Sequence, residues 1–324
     1  MLGIIFNKKL ILRADIPVPI PQKEEALIKI LLSGICNTDL EIIKGYMGFK
    51  GILGHEFVGV VEKCREKGWI GKRVTGEINI VCGKCIYCKT GLKTHCPQRK
   101  VLGILNKDGV FADYLTLPVK NLHVIPANIF DEEAVFVEPL AACYEVLEQV
   151  KINKSDVTIV LGDGKLGLLM AQVIRNTGCN LHLIGKHQEK LSVAKRLGIK
   201  TISIKETLKL EKFKFNKADI LIDCTGSPGG LDLAMKLAKP KGKIILKSTF
   251  ASKSYLNLSP VVINEFSIIG SRCGPFKKAI DALENREIKI SPLIYKIFPL
   301  NEGLKALKAS GEKKALKVLI KTGS

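Results

Sequence analysis

Four cysteines fall within one short segment, Cys82-x2-Cys85-x2-Cys88-x7-Cys96. Thiolates at that spacing are soft ligands able to close around a single tetrahedral zinc ion. Four protein donors leave no position for a substrate, so this centre reads as structural. Gly83 and Gly91 supply turns, Lys84, Lys89 and Lys93 offset thiolate charge, and His95 beside Cys96 is a rival donor. A second, dispersed pair is Cys36 in Gly34-Ile-Cys-Asn-Thr-Asp39 and His55 in Gly54-His-Glu56. Taken singly, Cys36 suits a core thiol and His55 a satisfied imidazole. Joined by a carboxylate, they would bind zinc with one coordination position open for chemistry.

Further along, Val157–Leu161 has the pattern of a buried strand and runs into Gly162-Asp-Gly164-Lys165-Leu166-Gly167, then into a helical pattern. A G-x-G-x-x-G held between strand and helix is a dinucleotide fingerprint. Gly162 permits the tight turn, Gly164 lets the backbone approach a pyrophosphate, and Gly167 lets the helix pack on the strand. The helix start then offers N–H groups to the phosphates. NAD sites place an acid at the end of the following strand to bind the ribose 2′-hydroxyl. Here that strand, Leu181–Ile184, ends in Gly185-Lys186-His187. Gly185 leaves room for a 2′-phosphate and Lys186 can pair with it, which favours NADP, with NAD second.

Elements able to position these residues can be read along the chain. The first third is β-rich, with strand patterns at Ala26–Leu32 and Phe57–Glu62 and turns at Gly51, Gly54, Gly68 and Gly71. Glu133–Val150 reads as a helix that Pro139 interrupts. From Asp156, strands (157–161, 181–184, 201–204, 218–223, 243–247, 266–269) alternate with helices (165–177, 188–197, 230–238), which implies a parallel sheet covered on both faces. The tail carries a helix and a last strand-like run, Ala315–Ile320, whose packing periodicity does not fix. The fold class is α/β, a β-rich domain followed by a doubly wound one.

At 324 residues the chain has room for two domains, and 46% hydrophobic residues exclude disorder. No apolar run spans a membrane and no secretory signal is seen, so a soluble cytoplasmic protein is expected. The net charge is +20, yet the basic residues are spread out. The densest stretch, Lys205–Lys217, alternates with acids and apolar residues and reads as a solvated face, so no nucleic-acid partner is expected.

Together these segments resemble the zinc-dependent medium-chain dehydrogenase/reductase family, which includes alcohol, sorbitol, threonine and glucose dehydrogenases. The resemblance runs in order along nearly the whole chain. It rests on G-I-C-N-T-D-L from Gly34, G-H-E-F-V-G-V-V from Gly54, the cysteine lobe, V-E-P-L-A from Val137, the glycine fingerprint, D-C-T-G-S from Asp223 and G-S-R-C-G from Gly270. It implies a GroES-like catalytic domain (1–140 and 272–324, with the structural zinc lobe at 82–96), a Rossmann domain (141–271), and an active site in the cleft between them. It also implies catalytic zinc ligands Cys36, His55 and Glu138, with Glu56 as the rival oxygen ligand and Asp39 orienting His55. Glu138 stands where classical alcohol dehydrogenases have cysteine, as in the sorbitol, threonine and glucose branch. Thr38 matches the hydroxyl that relays the substrate proton, while Glu41 replaces an outer relay histidine. Thr225, Ser271 and Arg272 are expected near the cofactor, and Lys317 near its pyrophosphate. The implied activity is hydride transfer between an alcohol, polyol or sugar and NADP or NAD, in a homodimer or homotetramer with no membrane partner. A zinc-independent double-bond or quinone reductase, or a non-enzymatic zinc-stabilised binding protein, are the alternatives.

Overall fold

The computed structural model describes residues 1–205, 218–249 and 255–323. Apart from Lys205, the basic Lys205–Lys217 stretch lies outside the described residues. The chain divides into two compact units, Met1–Glu138 with Ala279–Asn285 and Ile294–Ser324, and Pro139–Lys278 with Arg286–Leu293. Residues 272–278 and 286–293 therefore group with the second unit.

The first unit is built on a seven-stranded sheet. Its central strand, Glu25–Gly34, is apolar along most of its length and buried on both faces. It pairs antiparallel with Glu56–Cys64, Tyr114–Pro118 and Lys317–Lys321. The last of these answers where the tail packs. Register then places the chemistry: Gly34 stands opposite Glu56 on one side and Leu319 on the other. Cys36 follows one of these strand ends and His55 precedes another, so the two meet although distant in sequence. Gly34 is required there, because a Cβ would lie 2.5 Å from Glu56 Oε2. The cysteine lobe is bordered by a small sheet of Asn79–Ile80, Lys100–Leu102 and Asn106–Lys107.

The second unit holds a six-stranded sheet. In spatial order its strands are Lys200–Ser203, Asn180–Gly185, Val157–Leu161, Ala218–Asp223, Ala238–Leu246 and Ser267–Gly270, and every pairing is parallel. The order reverses direction between Val157–Leu161 and Ala218–Asp223, the switch point at which such sheets bind ligands. Helix Lys165–Arg175 is buried from Gly167 through Ile174, in keeping with its largely apolar sequence. The strand expected at 243–247 is longer, Ala238–Leu246. The helix expected over 133–150 is two helices, Asp131–Ala134 and Val137–Gln149. The break falls at Val135–Phe136, ahead of Pro139. That proline sits in the first turn of the second helix, where a missing N–H costs no intrahelical bond.

Candidate active site and metal centres

Cys36 is the N-cap of the short helix Asn37–Ile43. The helix brings Asp39 back under its own start. Asp39 Oδ2 accepts the Cys36 N–H at 2.8 Å, and Oδ1 lies 3.2 Å from His55 Nδ1. One carboxylate thus fixes both donors and leaves His55 Nε2 for a ligand, the arrangement that orients metal-binding histidines. Burial opposes charge on His55, but the Asp39 carboxylate and then the Cys36 thiol outweigh it and hold the imidazole well above its ordinary pKa. Thr38 Oγ1 lies 3.7 Å from Cys36 Sγ. Glu41 pairs with Lys44 at 2.8 Å.

Donor atoms of Cys36, His55 and Glu56 all lie within 4.8 Å of one another. Glu138, half-buried in the first turn of Val137–Gln149, is not in that group. Glu56 is fully buried; its Oε2 forms an ion pair with Lys317 Nζ, and its Oε1 has no hydrogen-bond partner. A buried carboxylate oxygen without a partner is costly unless something unseen completes it, and a zinc ion held by Cys36 and His55 would do so. The residues present therefore fit a catalytic zinc. Lys317, expected near a pyrophosphate, is buried, paired with Glu56 and 5.3 Å from the centre of the Phe136 ring.

In the lobe, Cys82, Cys85, Cys88 and Cys96 form one donor group without His95, which is exposed and bonds to Thr94. Four of the sulfur pairs are separated by 3.5, 3.6, 3.8 and 3.9 Å. A tetrahedron of Zn–S bonds of ~2.3 Å has edges of about 3.8 Å, so the sulfurs fit that ion. N–H groups of Lys84 and Cys85 pull the Cys82 thiol down to about 6, while burial pushes Cys88 up to about 12. The pocket favours a thiolate at one end and needs a cation before it can hold four.

The glycine loop has the geometry its sequence requires. Gly162 has φ +110°, and a Cβ on it would lie 2.7 Å from the Cys224 carbonyl oxygen. A Cβ on Gly167 would lie 1.9 Å from the Gly162 oxygen, whereas one on Gly164 meets nothing within 4 Å. Gly164 is thus the open position, and Lys165 and Leu166 begin the helix behind it. Thr225 follows the strand Ala218–Asp223 and donates its N–H to Asp223 Oδ1 at 2.8 Å. The space that a Cβ at Gly185 would need is taken by the Asp163 carboxylate, 2.6 Å away. Lys186 is exposed beside it.

A residue missed in the sequence is Lys247, which follows the strand Ala238–Leu246. It is 9% exposed and its Nζ donates to Ala142 O at 2.7 Å, Arg272 O at 2.8 Å and Ser271 Oγ at 3.2 Å. It ties the helix Val137–Gln149 to the segment carrying Ser271 and Arg272. Only its place after a strand of the parallel sheet could have marked it out among so many lysines.

Comparison with known proteins places this geometry. The family described as "Alcohol dehydrogenase GroES-like domain" matches residues 22–127, and that described as "Zinc-binding dehydrogenase" matches 166–285. The sorbitol dehydrogenase of Halalkalibacterium halodurans is 31% identical over 322 residues, spanning 94% of this chain and 93% of its own. The chain belongs to the zinc-dependent medium-chain dehydrogenase/reductase family. Solved structures agree with this dehydrogenase along its whole length. The RspB alcohol dehydrogenase of Escherichia coli CFT073, complexed with NADH, superposes with a TM-score of 0.88 at 28% identity, covering 99% of both chains. A zinc-binding dehydrogenase of Sinorhizobium meliloti bound to NADP gives 0.89 at 26% identity, covering 99% of this chain and 98% of that one. The dehydrogenase is therefore an α/β oxidoreductase with a GroES-like and a Rossmann-type part.

Proposed function

We propose that this dehydrogenase transfers hydride between an alcohol, polyol or sugar (or the matching carbonyl) and a nicotinamide cofactor, with NADP favoured over NAD. The observation that carries the reading is the convergence of Cys36, His55 and the orphaned Glu56 oxygen, with Asp39 holding the first two. Cys36, His55 and Glu56 would hold the catalytic zinc, with Glu56 rather than Glu138 as its oxygen ligand. When bound, zinc supplies a Lewis acid for the substrate oxygen, and the nicotinamide supplies the hydride acceptor or donor. Thr38, beside Cys36, takes or returns the substrate proton at Oγ1. Asp39 keeps the His55 ring in one orientation. Gly162, Gly164 and Gly167 seat the pyrophosphate, with Thr225, Ser271 and Arg272 at the strand ends of the same sheet. The donor set favours this reading over a zinc-independent reductase, which has no use for three convergent ligands, and over a non-enzymatic zinc protein, which has no use for an open position.

The exposed edge strand Ser267–Gly270 and the neighbouring Val262 and Ile263, each 78% exposed, support a homodimer or homotetramer. Ten cysteines, none in a disulfide, support a reducing, cytoplasmic setting. Among the described residues no helix is long and apolar enough to cross a membrane. The test is a panel of alcohols, polyols, sugars and amino alcohols, each with NADP and with NAD, with zinc measured on the same sample. Turnover lost on chelation is expected. A zinc-loaded protein that binds neither cofactor would overturn the reading.

A further inference from the structure

Asp163 lies between the first two glycines of the fingerprint, and its side chain crosses to the end of the neighbouring strand Asn180–Gly185. Its Oδ2 accepts the N–H groups of Lys186 at 2.7 Å and His187 at 2.6 Å, and its Oδ1 lies 2.9 Å from His187 Nδ1. The residue is 5% exposed. In the common NAD arrangement an acid on the strand end faces the ribose. Here the acid comes from the glycine loop, stands in the space a side chain at Gly185 would need, and is already committed to three donors.

A carboxylate can only accept, so His187 Nδ1 carries the proton between them. Nε2 is then the nitrogen His187 has left for a ligand, on a side chain that is 24% exposed. Lys186 is exposed next to it, and Lys190, on the first turn of helix Gln188–Arg196, is 8% exposed. Burial draws the Lys190 ammonium below the usual lysine range; Asp163 and Glu189 oppose this, and Lys186 adds to it. Three basic groups thus gather at one turn around a single buried acid, with Glu189 exposed beside them. That balance suits a phosphate dianion better than a pair of ribose hydroxyls.

We propose that Asp163 is a positioning residue for cofactor choice, holding His187 so that, as the imidazolium with a proton on each nitrogen, its Nε2 beside Lys186 donates to the 2′-phosphate of NADP. This rests on the nicotinamide-dependent reading above. It also reverses the ordinary sense of an acid at this corner of the fold, since the carboxylate here serves the phosphate-bearing cofactor by organising its donors.

The test uses zinc-loaded full-length enzyme, wild type, Asp163→Asn and His187→Ala. The readouts are the ratio of kcat/KM with NADP to that with NAD, and the Kd of adenosine 2′,5′-bisphosphate against that of 5′-AMP. Both variants are expected to lower both preferences about tenfold or more, the loss of one charge-assisted hydrogen bond. A purely structural role would weaken both cofactors together and leave the ratios unmoved, which would overturn the proposal while wild-type preference for NADP stands. A rise in the ratio for Asp163→Asn would also overturn it, by showing that the carboxylate repels the phosphate and reads the ribose. Should Asp163→Asn fail to fold, His187→Ala carries the same decision. A wild type that prefers NAD and ignores the bisphosphate would remove the NADP reading itself, and this inference with it.

Discussion

Lys317→Met should be among the most damaging single substitutions in the first unit. Lys317 and Glu56 form an ion pair whose side chains are 1% and 0% exposed. Without the ammonium, neither Glu56 oxygen has a partner, because Oε1 has none already. Removing one partner of a buried pair costs about 3–5 kcal/mol, most of it from the charge left behind. Glu56→Gln should cost less, about 2–3 kcal/mol, because the amide oxygen can still accept from Lys317. The Phe136 ring, 5.3 Å away, also continues to support the cation. The double variant should fall well short of the sum, since removing both charges leaves no orphan. Trp69, the only tryptophan in the chain, lies in the first unit outside the cysteine lobe. Its fluorescence during urea unfolding of metal-free protein therefore follows that unit alone, avoiding a two-unit transition. With a slope of about 1–3 kcal/mol per molar, the Lys317→Met midpoint should drop by roughly 1 M urea or more. Added zinc should restore part of the loss, because binding to the native state stabilises it and Glu56 is then free to ligate. A midpoint within ~0.2 M of wild type would refute the reasoning, by showing that Glu56 does not depend on Lys317 for its charge.

Four further outcomes are expected. Gly164→Val should fold normally yet lose cofactor binding by titration calorimetry, since its Cβ meets nothing in the protein. Gly167→Val should fail to give soluble protein, since its Cβ would sit 1.9 Å from the Gly162 oxygen; equal behaviour of the two would contradict the assigned roles. Asp39→Ala should weaken zinc at the catalytic site by about 10–100-fold in competition with a chelating dye, while zinc in the cysteine lobe stays bound. Cys96→Ser should leave one zinc per chain instead of two by elemental analysis and lower thermal stability, because three thiolates do not close the tetrahedron.

Some of this protein is written locally. The four-cysteine lobe and the glycine loop each occupy a short contiguous stretch, so their donors and turns are brought together by spacing alone, and the parallel sheet follows from alternating strand and helix patterns. Cys36 and His55 could be singled out only through the neighbouring residues of a family resemblance. The rest depended on strands meeting across long sequence separations. Strand register set Gly34 opposite both Glu56 and Leu319, which brought Lys317 to Glu56 over 261 positions. The missing side chain at Gly185 looked in sequence like a vacancy, but packing shows the vacancy filled by Asp163 from another strand's loop, 23 residues from the Lys186 N–H it accepts. Lys247 was one lysine among many until three oxygens from other segments closed on it. Sequence spacing determines which groups can act within a turn or two. What a side chain faces across a sheet is decided by the register and packing of strands whose positions are not encoded near it.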